Sequence, residues 1–217
     1  MEKIITVDGL ASSGKSTLSY RLSKRLRWPW FSTGVLYRGM AYVALKEKFK
    51  EKDYLPFFKS KDWRIELTPF KSLFFYKDID ISSQLYCEEI DEKASFLSAS
   101  PSYRKALIPF QRDFYSAEKG LILEGRDCGT ILFPSAPLKV FLTAPEKKRA
   151  ERRKKERTKS LSSILKAQRQ RDERDQGRYF APLIQAQEAL CLDSSSHTID
   201  NLVQIVYEKA QEIFFKK

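Results

Sequence analysis

The chain has 217 residues and is 42% hydrophobic, enough to bury a core and too apolar for global disorder. That length suits one large domain, or a core with small insertions. The formal net charge of +12 points to a polyanionic partner: nucleic acid, an acidic membrane face or a nucleotide, among which charge alone does not choose.

Cys87, Cys128 and Cys191 are widely spaced, and His197 is the single histidine. This argues against a disulfide framework or a zinc site. Free thiols suit a reducing cytosol, and Cys87 and Cys191 read as buried small hydrophobes. His197 reads as a surface loop residue. The run Met1 to Asp8 is too short for a signal peptide and has no basic lead-in. No stretch approaches the roughly 18 apolar residues that span a bilayer. The expectation is a soluble, cytoplasmic monomer with no membrane contact.

In chain order, Lys3 to Val7 reads as a buried strand ended by Asp8-Gly9. Lys15 to Arg27 carries Leu18, Leu22 and Leu26 at helical spacing, and Val35 to Glu47 carries Leu36, Met40, Val43 and Ala44. From about 53 to 100 the texture changes. Trp63 to Leu67, Leu73 to Tyr76 and Asp78 to Ile81 look like short antiparallel strands between polar turns. Ser102 to Ala117 reads as helix. Gly120 to Glu124 and Leu138 to Thr143 read as core parallel strands. Lys147 to Arg178 holds fourteen Lys or Arg against five Asp or Glu and reads as two helices broken near Thr158 to Ser160. Ala189 to Asp193 is a last strand, and Ile199 to Phe215 an amphipathic closing helix. Strands alternating with helices predict a doubly wound α/β fold built on a parallel sheet.

The segment Gly9-Leu10-Ala11-Ser12-Ser13-Gly14-Lys15-Ser16 matches GxxxxGK(S/T), the phosphate-loop (P-loop) pattern, and Thr17 follows it. Glycines let successive backbone N–H groups turn inward onto phosphate oxygens, and the next helix adds its positive end. Lys15 reaches β- and γ-phosphates, while Ser16 can ligate Mg²⁺. An apolar strand before and a periodic helix after give the motif its proper context. No NKxD base-reading motif of GTPases follows. Glu124 is the nearest second acid, equally suited to holding a metal-bound water or to capping.

Arg126-Asp127 sits between Gly125 and Gly129 where a parallel strand ends, the usual ligand position of α/β proteins. Arg171, Arg174, Asp175 and Arg178 recur at helical spacing and could surround phosphates, or form a solvated face of ion pairs.

Four segments in order, VDGLASSGKST, STGVLYR from 32, GRDCGTILFPSAPLKVFLTA from 125 and RDERDQGRYFAPL from 171, resemble the bacterial cytidylate kinases of the nucleoside monophosphate kinase group. LDSSSHTID resembles that family's closing segment. The P-loop is generic, whereas the second pair of signatures is specific. The resemblance implies transfer of the γ-phosphoryl group of ATP, with Mg²⁺, to CMP or dCMP. It implies one kinase domain over 1–217, with a monophosphate-binding insert at about 53–100 and a lid at about 154–162. Thr33 keeps a family hydroxyl. Arg38 and Arg126 match arginines on the acceptor phosphate. Ser95, Arg104 and Asp127 match readers of cytosine. Arg171 and Asp175 match residues at the ribose, and Arg178 one near the acceptor. Arg149, Arg152 and Arg153 lead into the lid over ATP. Lys15, Arg126, Arg171 and Arg178 are the implied catalytic cations. Ser32-Thr33 departs from the frequent Asp-Ser, and Cys128 from an aliphatic residue.

Other acceptors of the same class, UMP, AMP or shikimate, are the alternative. A basic RNA-binding protein is a different one, but interleaved aromatic RNA-reading signatures are missing. The cationic cleft gives the positive charge a local task without nucleic acid.

Overall fold

Residues 2–68, 70–115, 119–155 and 159–215 are described by the structure, a computed structural model. β1 (Ile4–Asp8), β2 (Trp30–Ser32), β6 (Leu121–Gly125), β7 (Leu138–Thr143) and β8 (Leu190–Asp193) form one parallel sheet in the order β2-β6-β1-β7-β8. β1 and β6 are central and buried along their whole length. Their side chains alternate between two cores, as the period of a strand requires. Ile4, Leu121 and Leu123 enter one core, while Ile5, Val7 and Ile122 enter the other.

The second core is covered by α1 (Lys15–Leu26) and α8 (Ile199–Phe214) through Leu18, Leu22, Leu202, Val203 and Val206. The first is covered by α2 (Thr33–Lys46), α4 (Glu88–Leu97) and α5 (Pro101–Arg112). Helices on both faces make the sheet doubly wound, the α/β class expected from the sequence. Each fully buried Leu, Ile or Phe contributes about 1.5–3 kcal/mol of burial free energy, so the two cores dominate stability.

The stretch after α2 begins with α3 (Glu51–Phe58) and forms an antiparallel sheet of β3 (Trp63–Leu67), β4 (Ser72–Tyr76) and β5 (Ile79–Asp80). Phe74 of β4 is fully buried against Trp63, with ring centroids 5.9 Å apart. α6 (Glu146–Lys154) and α7 (Leu161–Gln176) complete the set. Part of the expected lid, 156–158, lies outside the described residues.

Four expectations need correction. The opening is not helix directly after helix, because β2 intervenes and pairs with β6. Three residues between Pro29 and Thr33 carry too short a pattern to show periodicity. α5 stops at Arg112, short of Ala117. Beyond it Phe114 packs on Phe31, with centroids 4.7 Å apart, and the Tyr115 hydroxyl accepts from the Lys3 N–H at 3.1 Å. These contacts draw the chain off the helical path. Cys87 and Cys191 are exposed, not buried. Cys87 precedes α4, and Cys191 lies on edge strand β8, where Leu192 is the one buried residue. Last, α3 and α4 occupy stretches where strands drew all the attention. His197 is exposed as expected, its Nδ1 3.1 Å from the Asp193 carbonyl oxygen.

Gly39 shows how tightly the two sheets are joined. A Cβ there would lie 2.2 Å from the buried Phe74 ring. Gly39→Ala gains about 1 kcal/mol of helix propensity but overpacks at a cost of about 1–3 kcal/mol. The expected outcome is a net loss of stability, read as a lower urea midpoint with an unchanged slope.

Candidate active site

The phosphate loop begins where β1 ends. Gly9 has φ 147°, and a Cβ there would lie 2.1 Å from the Leu142 carbonyl oxygen of β7, so glycine is required. Gly14, at φ 98°, starts α1 and leaves the first-turn N–H groups of that helix at the loop. Lys15 is buried, and its Nζ donates to the Leu10 carbonyl at 2.6 Å. Burial, and next the charge of Arg126, pull its pKa well below the ordinary lysine value.

Asp8 ties this loop to the one after β6. Its carboxylate accepts the Cys128 N–H at 3.0 Å and the Gly129 N–H at 2.8 Å. Burial pushes its pKa up to about 6 against the pull of those two bonds. Asp8 therefore anchors the π-helical turn Cys128–Leu132 directly behind Arg126 and Asp127.

Ala11, Ser12, Gly14, Lys15, Ser16 and Thr17 line one end of a cleft of about 850 Å³. Gly9, Leu10 and Ser13 are not among its lining residues; they shape the loop from behind. Arg152 and Arg153 line the cleft, but Arg149 does not. Arg149 is buried beneath the loop, donating to Ala144 O at 3.1 Å and Ala11 O at 3.3 Å, and it pairs with Asp172 at 2.8 Å. Its place is that of a brace. Arg152 reaches Ser194 Oγ at 2.9 Å, and Ser194 Oγ donates to the Ser13 carbonyl at 2.7 Å.

The opposite end gathers Thr33, Arg38, Ser95, Arg104, Arg126, Asp127, Arg171, Asp175 and Arg178. Asp175 joins two cations: Arg126 Nε at 2.7 Å on one oxygen and Arg178 on the other. Burial opposes its ionisation, but Arg126, Arg178 and Arg171 outweigh it and hold the pKa down at about 2. Arg104 pairs with Asp127 while donating to Ser98 O at 3.1 Å. Burial, then Arg126 and Arg38, lower the Arg171 pKa to about 9. Ser95 Oγ, Arg104 Nε, Arg171 Nε and two nitrogens of Arg178 are buried with no hydrogen-bond partner among the described residues. Unpaired buried donors around a cleft are groups that a polar ligand would satisfy. Arg174 does not join them; its Nε donates to Gln170 O at 3.2 Å, and α7 has ended before Arg178 is reached.

Between the two ends lies Glu124. Its Oε1 accepts from Ser16 at 2.8 Å and from Ser32 at 2.7 Å. Its Oε2 is buried without a hydrogen-bond partner among the described residues. A hydroxyl and a carboxylate meeting beside the phosphate loop, with an acceptor to spare, suit a hard cation such as Mg²⁺. Thr33 Oγ1 donates to the Glu124 carbonyl at 2.9 Å, which fixes the strand end. Ser32, which departs from the frequent Asp, orients Glu124 through its hydroxyl. Residues that no sequence signal singled out are Asp91, Tyr37 and Ser194. Asp91 lies on α4, which the sequence reading missed, and the other two sit inside segments quoted only as motifs.

A loop for phosphates faces a second set of cations across one cleft, and that defines the class: a phosphate-loop phosphotransferase. The fold agrees, since a gluconokinase from Sinorhizobium meliloti superposes with TM-score 0.52 at 14% identity, over 98% of this chain and 94% of that one. The chain belongs to the cytidylate kinase family, whose model matches residues 5–212. It is similar to the cytidylate kinase of Bdellovibrio bacteriovorus, 38% identical over 96% of this chain and 97% of that protein. The cytidylate kinase of Serratia proteamaculans is 36% identical, over 97% and 95%. The protein is thus an enzyme, a nucleoside monophosphate kinase. No helix among the described residues is long and apolar enough to cross a membrane.

The depressed Asp175 pKa carries a sign. Its stabilising contribution is complete above the unfolded value near 3.8 and is lost as pH falls through about 2. That contribution is on the order of 2 kcal/mol. Urea titrations from pH 4.5 to 2 will show wild type losing more stability than Asp175→Asn.

Proposed function

We propose that the enzyme transfers the γ-phosphoryl group of ATP to CMP and dCMP, giving ADP and CDP or dCDP. The observation that carries this reading is one cleft with the phosphate loop at one end and the Arg104–Asp127 pair, Arg126 and Arg178 at the other. Family membership supports it.

In this reading the chain contributes position and charge, which phosphoryl transfer mainly needs. Backbone N–H groups of the loop and Lys15 hold the donor phosphates. Arg38 and Arg126 hold the acceptor phosphate in line, with Arg171 and Arg178 offsetting charge on the oxygens in transfer. Asp175 fixes two of these guanidiniums, so little reorganisation remains when substrate arrives. Asp127 accepts from the cytosine N4 amine, and Arg104 and Ser95 serve the remaining base edge. Ser16 and Glu124 would hold Mg²⁺, which would screen charge on the donor phosphates. The stretch from about 53 to 100 forms the monophosphate-binding insert, and that from about 154 to 162 the lid.

An ADP-release assay with ATP and each monophosphate in turn tests the whole reading. CMP and dCMP should be the best acceptors, and equal or better use of UMP, AMP or shikimate would replace the acceptor. RNA binding that falls steeply with salt, with no ATP turnover, would replace the class. Lys15→Ala should lower turnover by orders of magnitude with the fold intact.

Asp127 tests base reading by itself. Uracil puts O4 where cytosine has its amine, so a carboxylate finds no hydrogen there. CMP should exceed UMP by at least about tenfold in kcat/KM, roughly 1.4 kcal/mol. Asp127→Asn should shrink that ratio, because an amide can donate to O4. An Asp127 that only anchors Arg104 would leave the ratio unchanged while both rates fall.

A further inference from the structure

Asp91 sits on α4, buried, with a different arginine on each carboxylate oxygen. Oδ1 accepts from Arg38 Nε at 2.9 Å and Nη2 at 2.8 Å. Oδ2 accepts from Arg153 Nη2 at 3.2 Å. Arg38 comes from α2 and, in the proposed reading, serves the acceptor phosphate. Arg153 comes from the last turn of α6, beside Arg152, whose guanidinium reaches the Ser12 carbonyl of the phosphate loop at 3.4 Å. One carboxylate thus joins a cation of the acceptor end to a cation of the donor end. A second bridge runs the same way: Glu88, one turn earlier on α4, pairs with Lys159 at 2.6 Å, just before α7. That pair is half exposed and screened, so Asp91 carries more weight.

We propose that Asp91 is a positioning residue that couples the two nucleotide sites, so that an acceptor monophosphate strengthens donor binding. The inference rests on the proposed assignment of the cleft's two ends. Without ligand, Arg38 and Arg153 share one negative charge. An arriving acceptor phosphate takes up Arg38 and relieves that competition. Its own charge also adds to the negative field around Asp91. Both effects hold Arg153 more firmly at the cleft wall, where donor phosphates come to lie. Burial would favour a neutral Asp91, but Arg38, Arg171 and Arg153 keep its pKa below the ordinary range, so the charge is present. Coupling of this kind is reciprocal: the donor must strengthen acceptor binding by the same factor.

Calorimetric titration of a non-hydrolysable ATP analogue, with and without saturating CMP, reads the coupling as a ratio of dissociation constants. In wild type CMP should tighten the analogue about fivefold or more, the lower end of ordinary site coupling. Asp91→Asn keeps the shape and loses the charge. Each ligand should still bind alone, while the ratio falls to about one. Asp91→Glu should restore part of it. Arg153→Gln should abolish the coupling equally, and the double variant should do no more, which also covers an Asp91→Asn protein that folds poorly. A ratio of one in wild type, or a wild-type ratio in Asp91→Asn and Arg153→Gln, overturns the proposal. Turnover of wild type with CMP reports separately on the proposed function. If another monophosphate is the acceptor, the same ratio is measured with that compound.

Discussion

Repulsion between buried cations is the constraint on which the rest of this structure depends. Lys15, Arg38, Arg104, Arg126, Arg171 and Arg178 line one cleft, and burial pulls the pKa values of Lys15, Arg171 and Arg178 below their ordinary values. The fold answers with carboxylates: Asp127 pairs with Arg104, and two others are each placed between two cations. Asp175 takes Arg126 and Arg178, and Asp91 takes Arg38 and Arg153. Desolvation offsets much of the attraction within such buried pairs. What they provide is a fixed array of donors at a defined spacing, several with hydrogens still unpaired.

The sheet makes that array possible. β1 and β6 are adjacent and parallel, so the loops leaving them emerge side by side. Asp8 then links them through two backbone N–H groups, and Glu124 at the end of β6 meets Ser16 at the start of α1. The phosphate loop and the Arg126-Asp127 loop are therefore positioned from the same rigid edge. α2 and α4 bring Arg38 and Ser95 to the same cleft.

Much of this was legible in the chain alone, for identifiable reasons. The parallel strands are continuous apolar runs, and the phosphate loop declares itself by glycine spacing between a strand and a helix. The Arg171-Asp175 cluster reads equally as a solvated face of ion pairs, and the family resemblance is what singles it out together with Arg126-Asp127. Brief or mixed elements stayed hidden. β2 is three residues long, and α3 contains Pro56, which weakens any helical signal. Asp91 carries no local mark, since its meaning lies in arginines 53 and 62 positions away. Arg149 shows the opposite failure, as it shares its basic run with Arg152 and Arg153 yet turns under the loop to meet Asp172. Helical phase within a charge run decides which arginines face a cleft, and composition does not record it.

Ser194 has a consequence for how the molecule comes into being. Its hydroxyl braces the Ser13 carbonyl from 181 residues away, and Arg152 completes the same contact. The phosphate loop is synthesised before its support, which comes from a strand end 181 residues later. Long-range closures of this kind come late in folding, since loop entropy must be overcome first. Until Ser194 is synthesised, a nascent chain carries the loop's full sequence without the brace. The phosphate loop therefore gains this brace only after β8, the strand that Ser194 follows, has been made.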